Sequence, residues 1–174
     1  MERQSSTKSQ SWCGGTAEDQ ENDFMMICRK GNVYELMELA PFISVDGHLL
    51  HKYDLRGRQC IHIVALYDRK NAIMKIEILV NMGADINARE RNTGNSILHI
   101  AVRTKNYQLA EWLCQEPTVN LGAINYAHHT AYHLAYYAHD EKMKELLITN
   151  RAVCDDPECI EMSEDDISDF SSDD

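Results

Sequence analysis

One heptapeptide occurs three times in altered form along this chain. It reads RQCIHIV at residues 58–64, NSILHIA at residues 95–101 and HTAYHLA at residues 129–135. The central histidines of the three copies are separated by 37 and then by 34 residues. A period of this size is typical of a solenoid, in which a small unit repeats because it buries its apolar face only against its neighbours. We therefore predict a stack of repeats that binds another molecule.

The heptapeptides resemble the T-P-L-H-x-A core of the ankyrin repeat, a helix–turn–helix unit with a projecting β-turn finger. The resemblance implies an all-α solenoid of about four repeats. The sequence GADIN at residues 83–87 is similar to the usual ending of an ankyrin unit. We predict a disordered leader at residues 1–21, a repeat domain at 22–153 and an acidic tail at 154–174, and within the domain we place repeats at about 22–53, 54–90, 91–121 and 122–153.

Apolar periodicity places two helices in each repeat. The first repeat lacks the heptapeptide, so it is predicted to be degenerate, with Asp23 capping its first helix at residues 24–28. Residues 41–53 receive no assignment. Most of the extra length of the second repeat is assigned to the turn at residues 68–71. The other helices are predicted at residues 33–39, 60–67, 72–81, 97–103, 109–115, 131–138 and 141–149.

The recurring residue types indicate structural roles. Ser96 and Thr130 stand at helix starts, where a side-chain oxygen can accept hydrogen bonds from backbone N–H groups that have no partner within the helix. Gly57 and Gly94 suit turn conformations that a Cβ atom opposes. The three heptapeptide histidines are expected to form hydrogen bonds to adjacent turns through their ring nitrogens. These residues therefore predict a fold and no chemistry.

Several classes of function are not supported by the sequence. No apolar run approaches the roughly 18 residues of a membrane span, and residues 1–6 lack the apolar core of a signal peptide. The six cysteines are scattered, so reduced thiols are predicted. The pairs His48/His51 and Cys154/Cys159 lack a second pair at zinc-site spacing, and no nucleophile, phosphate-loop or metalloprotease motif is present. We therefore predict no enzyme activity, metal site or cofactor.

Candidate partner contacts lie in the predicted fingers, which project along one edge of a repeat stack. Solvated surface charge is the alternative role for the arginines. Trp112 has helical spacing with Leu109 and Leu113, which favours core packing over an exposed contact. The candidate finger contacts are Arg56, Arg58, Arg89, Glu90, Arg91, Asn92, Tyr126, His128 and His129.

The formal net charge of −11 is concentrated at the C-terminus. Residues 152–174 contain ten carboxylates and no Lys or Arg, which leaves the first 151 residues near −1. Such a tail either increases solubility or faces a basic, nucleic-acid-binding surface, where it competes with phosphates for the same Lys and Arg side chains. For the second role, Asp165, Asp166 and Asp169 are the candidate contacts.

Part of the chain resembles the IκB inhibitors more closely than ankyrin repeats in general. The sequence INARERNTGNSILHIAV at residues 86–102 is similar to their fifth repeat, including a lengthened finger before the histidine, and residues 124–132 are similar to the start of their sixth. An acidic segment after the last repeat is also a family feature. The departures are a smaller number of repeats and the absence of the D-S-G-x-x-S degradation motif, since no Ser is followed by Gly.

A short chain of this kind resembles the viral IκB-like ankyrin proteins of polydnaviruses. The resemblance implies a stoichiometric inhibitor in the host cytoplasm or nucleus. It would sequester a host Rel/NF-κB factor, block DNA binding through the last repeats and the tail, and suppress host immune signalling without being removed by the host's degradation signal. No direct partner among nucleic acids, membranes or small molecules is expected. The alternative is an ankyrin adaptor or scaffold for another client protein or a ubiquitin ligase.

Overall fold

The computed structural model describes residues 16–43 and 47–152. Within those ranges the chain forms nine α-helices and no strand, which confirms an all-α ankyrin solenoid. None of the helices in those ranges has the length and apolarity needed to cross a membrane. The helices are α1 (Ala17–Lys30), α2 (Val33–Ile43), α3 (His48–His51), α4 (Cys60–Tyr67), α5 (Ala72–Asn81), α6 (Ile97–Arg103), α7 (Tyr107–Gln115), α8 (Ala131–Tyr137) and α9 (Glu141–Thr149).

The helices pack in two layers, with one antiparallel pair in each repeat. The inner layer contains α1, α4, α6 and α8, and each inner helix contacts the next one along the stack. The outer layer contains α2, α5, α7 and α9, which contact one another in the same order. The single-turn helix α3 stands between the first pair and the second repeat. Each pair is therefore buried between its neighbours, as a repeat architecture requires.

The predicted helix bounds are confirmed for α4, α5, α6 and α9, and the remaining differences have local causes. Helix α7 begins at Tyr107, two residues earlier than predicted, because the Asn106 side chain accepts a hydrogen bond from the Leu109 N–H at 3.2 Å. Helix α2 continues through Pro41 to Ile43. The prediction that most of the extra length of the second repeat lies in the turn at residues 68–71 was wrong. Compared with the third repeat, its first helix α4, its turn and its second helix α5 are each one residue longer.

Helix α1 begins at Ala17, so the prediction that order starts near residue 22 with Asp23 as the cap was wrong. The cap is Thr16, whose hydroxyl accepts from the Asp19 N–H at 3.2 Å while the Asp19 carboxylate accepts from the Thr16 N–H at 3.1 Å. This reciprocal pair satisfies two backbone donors that a helix start otherwise leaves without partners. Residues 1–15 of the predicted leader and the acidic tail lie outside the described residues.

A buried lysine joins the degenerate first repeat to the second. The Lys75 side chain is fully buried, and its Nζ lies 2.8 Å from Oδ2 of Asp68. The same ammonium donates to the Gly31 carbonyl at 2.6 Å and reaches the Cys28 carbonyl at 3.4 Å. These carbonyls belong to the C-terminal end of α1, where backbone acceptors lack helical partners and the helix dipole favours a cation. The lysine therefore caps α1 from the neighbouring repeat.

Histidine joins the later repeats. Nδ1 of His62 accepts from the Gln59 N–H at 3.1 Å, and its Nε2 lies 3.0 Å from the Ala88 carbonyl, at the boundary with the third repeat. His99 repeats this arrangement, with Nδ1 near the Ser96 N–H and Nε2 3.0 Å from the His129 carbonyl. Because Nδ1 accepts, the proton is on Nε2 and the ring is neutral. Burial lowers the pKa of both imidazoles. The predicted structural role is confirmed.

Candidate protein-binding edge

Three hairpin turns project between the helix pairs, and we call them finger 1 (residues 54–58), finger 2 (90–95) and finger 3 (125–129). Each is closed by a backbone hydrogen bond from its first N–H to its last carbonyl, at 2.8, 2.8 and 2.9 Å respectively. Finger 2 spans one residue more than the other two, which confirms the predicted lengthened finger before His99. The fingers are therefore ordered turns with fixed side-chain positions.

Each finger contains one residue in the left-handed backbone conformation. Gly57 has φ of 73° and Gly94 has φ of 71°, as their sequence positions predicted, whereas the equivalent residue of finger 3 is His128 with φ of 60°. A Cβ atom on Gly94 would lie 2.6 Å from the ring of Tyr126. Glycine is therefore required in finger 2 both for the turn and for the close approach of the next finger.

Hydrogen bonds connect each finger to the next. The Arg91 N–H donates to the Gly57 carbonyl at 2.7 Å, and the Asn92 side-chain amide donates to the Arg56 carbonyl at 3.0 Å. The Tyr126 N–H donates to the Thr93 carbonyl at 3.0 Å. Because these bonds run from finger 1 to finger 3, the three turns form one continuous and pre-organised edge.

Several predicted contact residues have structural roles instead. Arg58 is buried and pairs with Asp54 at 2.7 Å, and Glu90 is buried and accepts from Thr93 and Asn95 inside finger 2. Burial acts to raise the pKa of Asp54, but the hydrogen bonds from Arg58 outweigh it and hold that pKa below its usual value. The prediction of a surface contact was wrong for Arg58 and Glu90, because both close their fingers internally.

Two further predicted contact residues are only partly available to a binding partner. Arg89 is exposed, but its guanidinium donates to the carbonyls of Gly94 and Ile124. His129 is half-buried, its carbonyl accepts from His99, and its ring lies 5.1 Å from the ring of Tyr137. Arg89 therefore connects finger 2 to the start of the last repeat, and His129 connects helix α6 to that repeat. Asp165, Asp166 and Asp169 lie outside the described residues.

The residues that remain exposed form a basic and aromatic surface. Arg56, Arg91, Asn92, Tyr126 and His128 are all exposed, as predicted for fingers. Tyr53 and Leu55, which the sequence did not single out, join them, and Leu55 is fully exposed at the tip of finger 1. The Arg91 guanidinium lies 5.8 Å from the centroid of the Tyr53 ring. We call this set the finger edge: Tyr53, Leu55, Arg56, Arg91, Asn92, Tyr126 and His128.

A groove of about 640 Å³ continues the finger edge toward the first repeat. Met25, Met26 and Arg29 of α1 line one side, and Leu55 and Tyr67 line the other. The Arg29 guanidinium lies 4.3 Å from the centroid of the Tyr67 ring. Sequence patterns did not reveal the groove, because its α1 wall lies in the degenerate repeat and Leu55 lies outside every apolar period. Glu18 and Glu21 also line it, so the groove adds apolar surface and side chains of both charges next to finger 1.

The potentially reactive side chains are structural in the part of the chain described. Cys28, Cys60 and Cys114 are free thiols. Burial raises the pKa of Cys60 to about 12 and that of Cys114 to about 11, so neither is a thiolate near neutral pH. Residues 16–43 and 47–152 contain no group of three or more His, Cys, Asp or Glu side chains that could hold a metal ion.

Comparisons with known proteins agree with this architecture. The family model of ankyrin repeats (3 copies) matches residues 24–125. I-Kappa-B like protein C1 of Microplitis demolitor bracovirus (isolate Webb) is 90% identical over 173 residues, which is 99% of each chain. The same virus's I-Kappa-B like protein G1 is 57% identical over 141 residues, covering 81% of this chain and 80% of the relative. Its I-Kappa-B like protein F1 is 57% identical over 129 residues, covering 74% and 79%.

Proposed function

This chain belongs to the IκB-like ankyrin-repeat proteins, and we propose that it binds a host Rel/NF-κB transcription factor through its finger edge and keeps that factor off DNA. Ankyrin repeats act through protein–protein interaction, and the names of the bracovirus relatives connect those proteins to IκB. A stoichiometric inhibitor needs a rigid surface and no reaction chemistry. The proposal therefore follows from the family and from a surface that the fold fixes in place.

The observation that carries the proposal is the pre-organised finger edge. Its backbone is held by inter-finger hydrogen bonds at 2.7–3.0 Å, so little conformational entropy is lost when a partner docks. Tyr53, Leu55 and Tyr126 provide apolar contact area, and Arg56 and Arg91 provide charge beside it. Aromatic residues and arginine are the types that most often dominate the binding energy of interfaces.

The acidic tail completes the proposed mechanism. Rel factors bind DNA through a basic surface, and ten carboxylates that follow the last repeat would compete with phosphates for it. Asp165, Asp166 and Asp169 are the proposed tail contacts. Since the sequence has no Ser–Gly pair, the D-S-G-x-x-S signal for degradation is absent. The complex would therefore persist in the host cell and suppress immune signalling.

The test is displacement of a Rel-homology dimer from κB-site DNA by the purified full chain. We expect displacement at micromolar protein. The variant Leu55→Asp/Arg91→Glu should weaken it about a hundredfold, because it removes an apolar contact and reverses a charge at the centre of the edge. Arg103→Ala is the matched control, since Arg103 is exposed on α6 outside the finger edge, and it should stay within about twofold of the parent.

Two outcomes would contradict the proposal. One is a failure of the parent chain to displace the factor at micromolar concentration. The other is an equal loss for the finger-edge variant and the Arg103 control. If the parent fails but host proteins bind it in a finger-dependent way, the adaptor alternative is favoured. Truncation after Val153 should weaken displacement and its dependence on salt, and an unchanged result would leave the tail as a solubilising segment.

A further inference from the structure

A second and smaller cavity lies between the outer helices α5 and α7. Its volume is about 290 Å³, below the usual size of a site for a whole small molecule and suited to one long side chain. Val80 and Ile86 line one side and half-buried Trp112 lines the other. None of its lining residues belongs to the finger edge. The cavity is therefore a separate feature of the outer-helix layer.

Hydrogen bonds between the loops that follow α5 and α7 hold this cavity in shape. The side-chain amide of Asn87 donates to the Thr118 carbonyl at 2.7 Å, and its oxygen accepts from the Asn120 N–H at 2.8 Å. Thr118 lines the cavity itself. Trp112 packs against the core on its other side. The two loops and the indole are thus held in place before any ligand arrives, which reduces the entropic cost of binding.

The electrostatic character of the cavity is negative. Glu77 and Glu116 line it, and no Lys, Arg or His is among its lining residues. Its wall also includes the final residues of α5 and the C-terminal end of α7, where helix dipoles favour a cation. The indole of Trp112 provides an aromatic face, the best of the side-chain rings for attracting a cation. Carboxylates, an aromatic face and two helix C-termini thus converge on one small space.

We propose that this cavity binds an arginine side chain from a basic polypeptide segment. A planar guanidinium can stack on the indole while its N–H groups donate to Glu77 and Glu116, whereas an ammonium can use only one of these interactions well. Such a site goes beyond the finger-edge function, because it lets the outer helices engage a second segment or a second protein. Its occupation requires no change at the fingers.

The test uses the fluorescence of Trp112 in the full chain. The chain has two tryptophans, so a Trp12→Phe background makes Trp112 the sole reporter. The probes are three capped glycine–serine peptides of equal length that contain two adjacent arginines, two lysines or two citrullines. We expect a saturable change with the arginine peptide, binding of the lysine peptide several times weaker, and no saturable change with neutral citrulline.

Charge-neutralising variants locate the effect. Glu77→Gln/Glu116→Gln should weaken arginine-peptide binding about tenfold, because two charge-assisted hydrogen bonds are lost. Glu111→Gln is the matched control, since Glu111 is exposed on α7 but does not line the cavity. This control should change arginine-peptide binding less than twofold. Melting temperatures within about 2 °C of the parent show that the variants remain folded.

Three results would overturn the proposal: no saturable change at millimolar arginine peptide, equal binding of the citrulline peptide, or a loss for Glu111→Gln equal to that of the double variant. The finger-edge variant Leu55→Asp/Arg91→Glu should leave the titration unchanged. Conversely, Glu77→Gln/Glu116→Gln should displace the Rel-homology dimer from κB-site DNA as well as the parent does. Failure of this site and failure of the proposed Rel-binding function are therefore separate results.

Discussion

The junction between the first two repeats differs in chemistry from the two junctions that follow. At the first, Lys75 of α5 reaches back to Asp68 and to the carbonyls at the end of α1. At the later two, neutral His62 reaches forward to the Ala88 carbonyl just before finger 2, and neutral His99 to the His129 carbonyl in finger 3. The first junction thus uses a buried charge, whereas the buried histidine contacts of the other two are uncharged hydrogen bonds, with Arg69 adding a charged contact at the surface of the second.

The first repeat also lacks the heptapeptide, so α1 has no histidine ring to place against finger 1. Contact between α1 and the second repeat then includes the bonds from Lys75 to the carbonyls at the C-terminal end of α1. A lysine in the outer helix of the second repeat satisfies those carbonyls and brings a carboxylate with it. A degenerate terminal repeat can therefore be retained when its neighbour carries the compensating residue. The stability of that repeat then depends on one side chain outside it.

The largest expected effect comes from Lys75→Met, which removes the lysine contacts of the first junction and leaves the histidine contacts of the other two intact. Removing one member of a buried pair leaves Asp68 and the α1 carbonyls without their partner, which costs about 3 kcal/mol or more of unfolding free energy. Urea unfolding measures the loss. Hydrogen exchange should show it in α1 and α2, whereas α6 to α9 keep their protection.

Thiol labelling provides an independent measurement of the same prediction. Burial raises the pKa of Cys28 well above its usual value, so the native thiol should react slowly. In Lys75→Met its labelling should become faster, because α1 opens more often. Lys70→Met is the control, since Lys70 is exposed in the turn just before α5. Slow Cys28 labelling and unchanged stability in Lys75→Met would mean that the lysine does not hold this junction.

The next effect in size comes from His99→Phe, which breaks a histidine junction. The substitution keeps an aromatic ring but leaves the Ser96 N–H and the His129 carbonyl without their partner. Two unsatisfied groups cost about 2–4 kcal/mol together. Unfolding in urea should report this loss, and exchange should increase in α6 and α8. His48→Phe, at an exposed position of α3, should change stability by less than about 0.5 kcal/mol. Equal losses for both variants would contradict the bridging role.

The two kinds of junction should also fail at different pH. Burial lowers the folded-state pKa of His62 and His99, so the unfolded chain binds protons first as the pH falls. Their contribution is complete above the unfolded pKa of about 6.5, and it decreases below that pH by about 1.4 kcal/mol per unit for each histidine until the folded pKa is passed.

The pKa of Asp68 moves in the same direction, although its burial acts to raise it. The hydrogen bonds from Lys75 and Asn71, together with the charge of Lys75, outweigh burial and hold this pKa below its usual value. Its contribution is present above the unfolded pKa of about 3.9 and is lost only as the pH falls through the lower folded pKa. Exchange measured from pH 7.5 to 3.5 should therefore show α6 and α8 losing protection before α1. Simultaneous loss, or loss in α1 first, would contradict the assignment of the junctions.

The sequence predicted the histidine junctions but not the lysine junction, for a physical reason. His62, His99 and His133 occupy one position of a repeated heptapeptide, so periodicity identifies their shared role. Lys75 occurs once, on a helix whose apolar pattern suggests only a solvent-facing charge, and its partners lie about 45 residues earlier. Its burial depends on how α1 ends, which the degenerate repeat does not reveal.

The candidate site was predictable to a similar degree. Position in a finger identified Arg56, Arg91, Asn92 and Tyr126 as exposed side chains, which the structure shows. The same rule failed for Arg58 and Glu90, because they form hydrogen bonds within their own fingers. An isolated sequence gives no indication of which finger charges have an internal partner. Leu55 was missed for the opposite reason, since an exposed apolar residue belongs to no buried pattern.

The smallest expected effect concerns finger 3, which receives the hydrogen bond from His99. Fingers 1 and 2 place glycine at the left-handed position, but finger 3 places His128 there with φ of 60°. A Cβ atom in that conformation costs about 1 kcal/mol, and the greater freedom of glycine in the unfolded chain offsets part of the gain. His128→Gly should therefore raise the unfolding free energy, measured by urea unfolding, by about 0.5 kcal/mol.

The control His128→Ala keeps the Cβ atom and should show no gain in stability. Equal stabilisation by both variants would mean that the effect comes from loss of the imidazole and not from relief of the backbone conformation. If only the glycine variant is more stable, and its added protection extends to α6, the carbonyl that finger 3 offers to His99 is part of what holds the last junction.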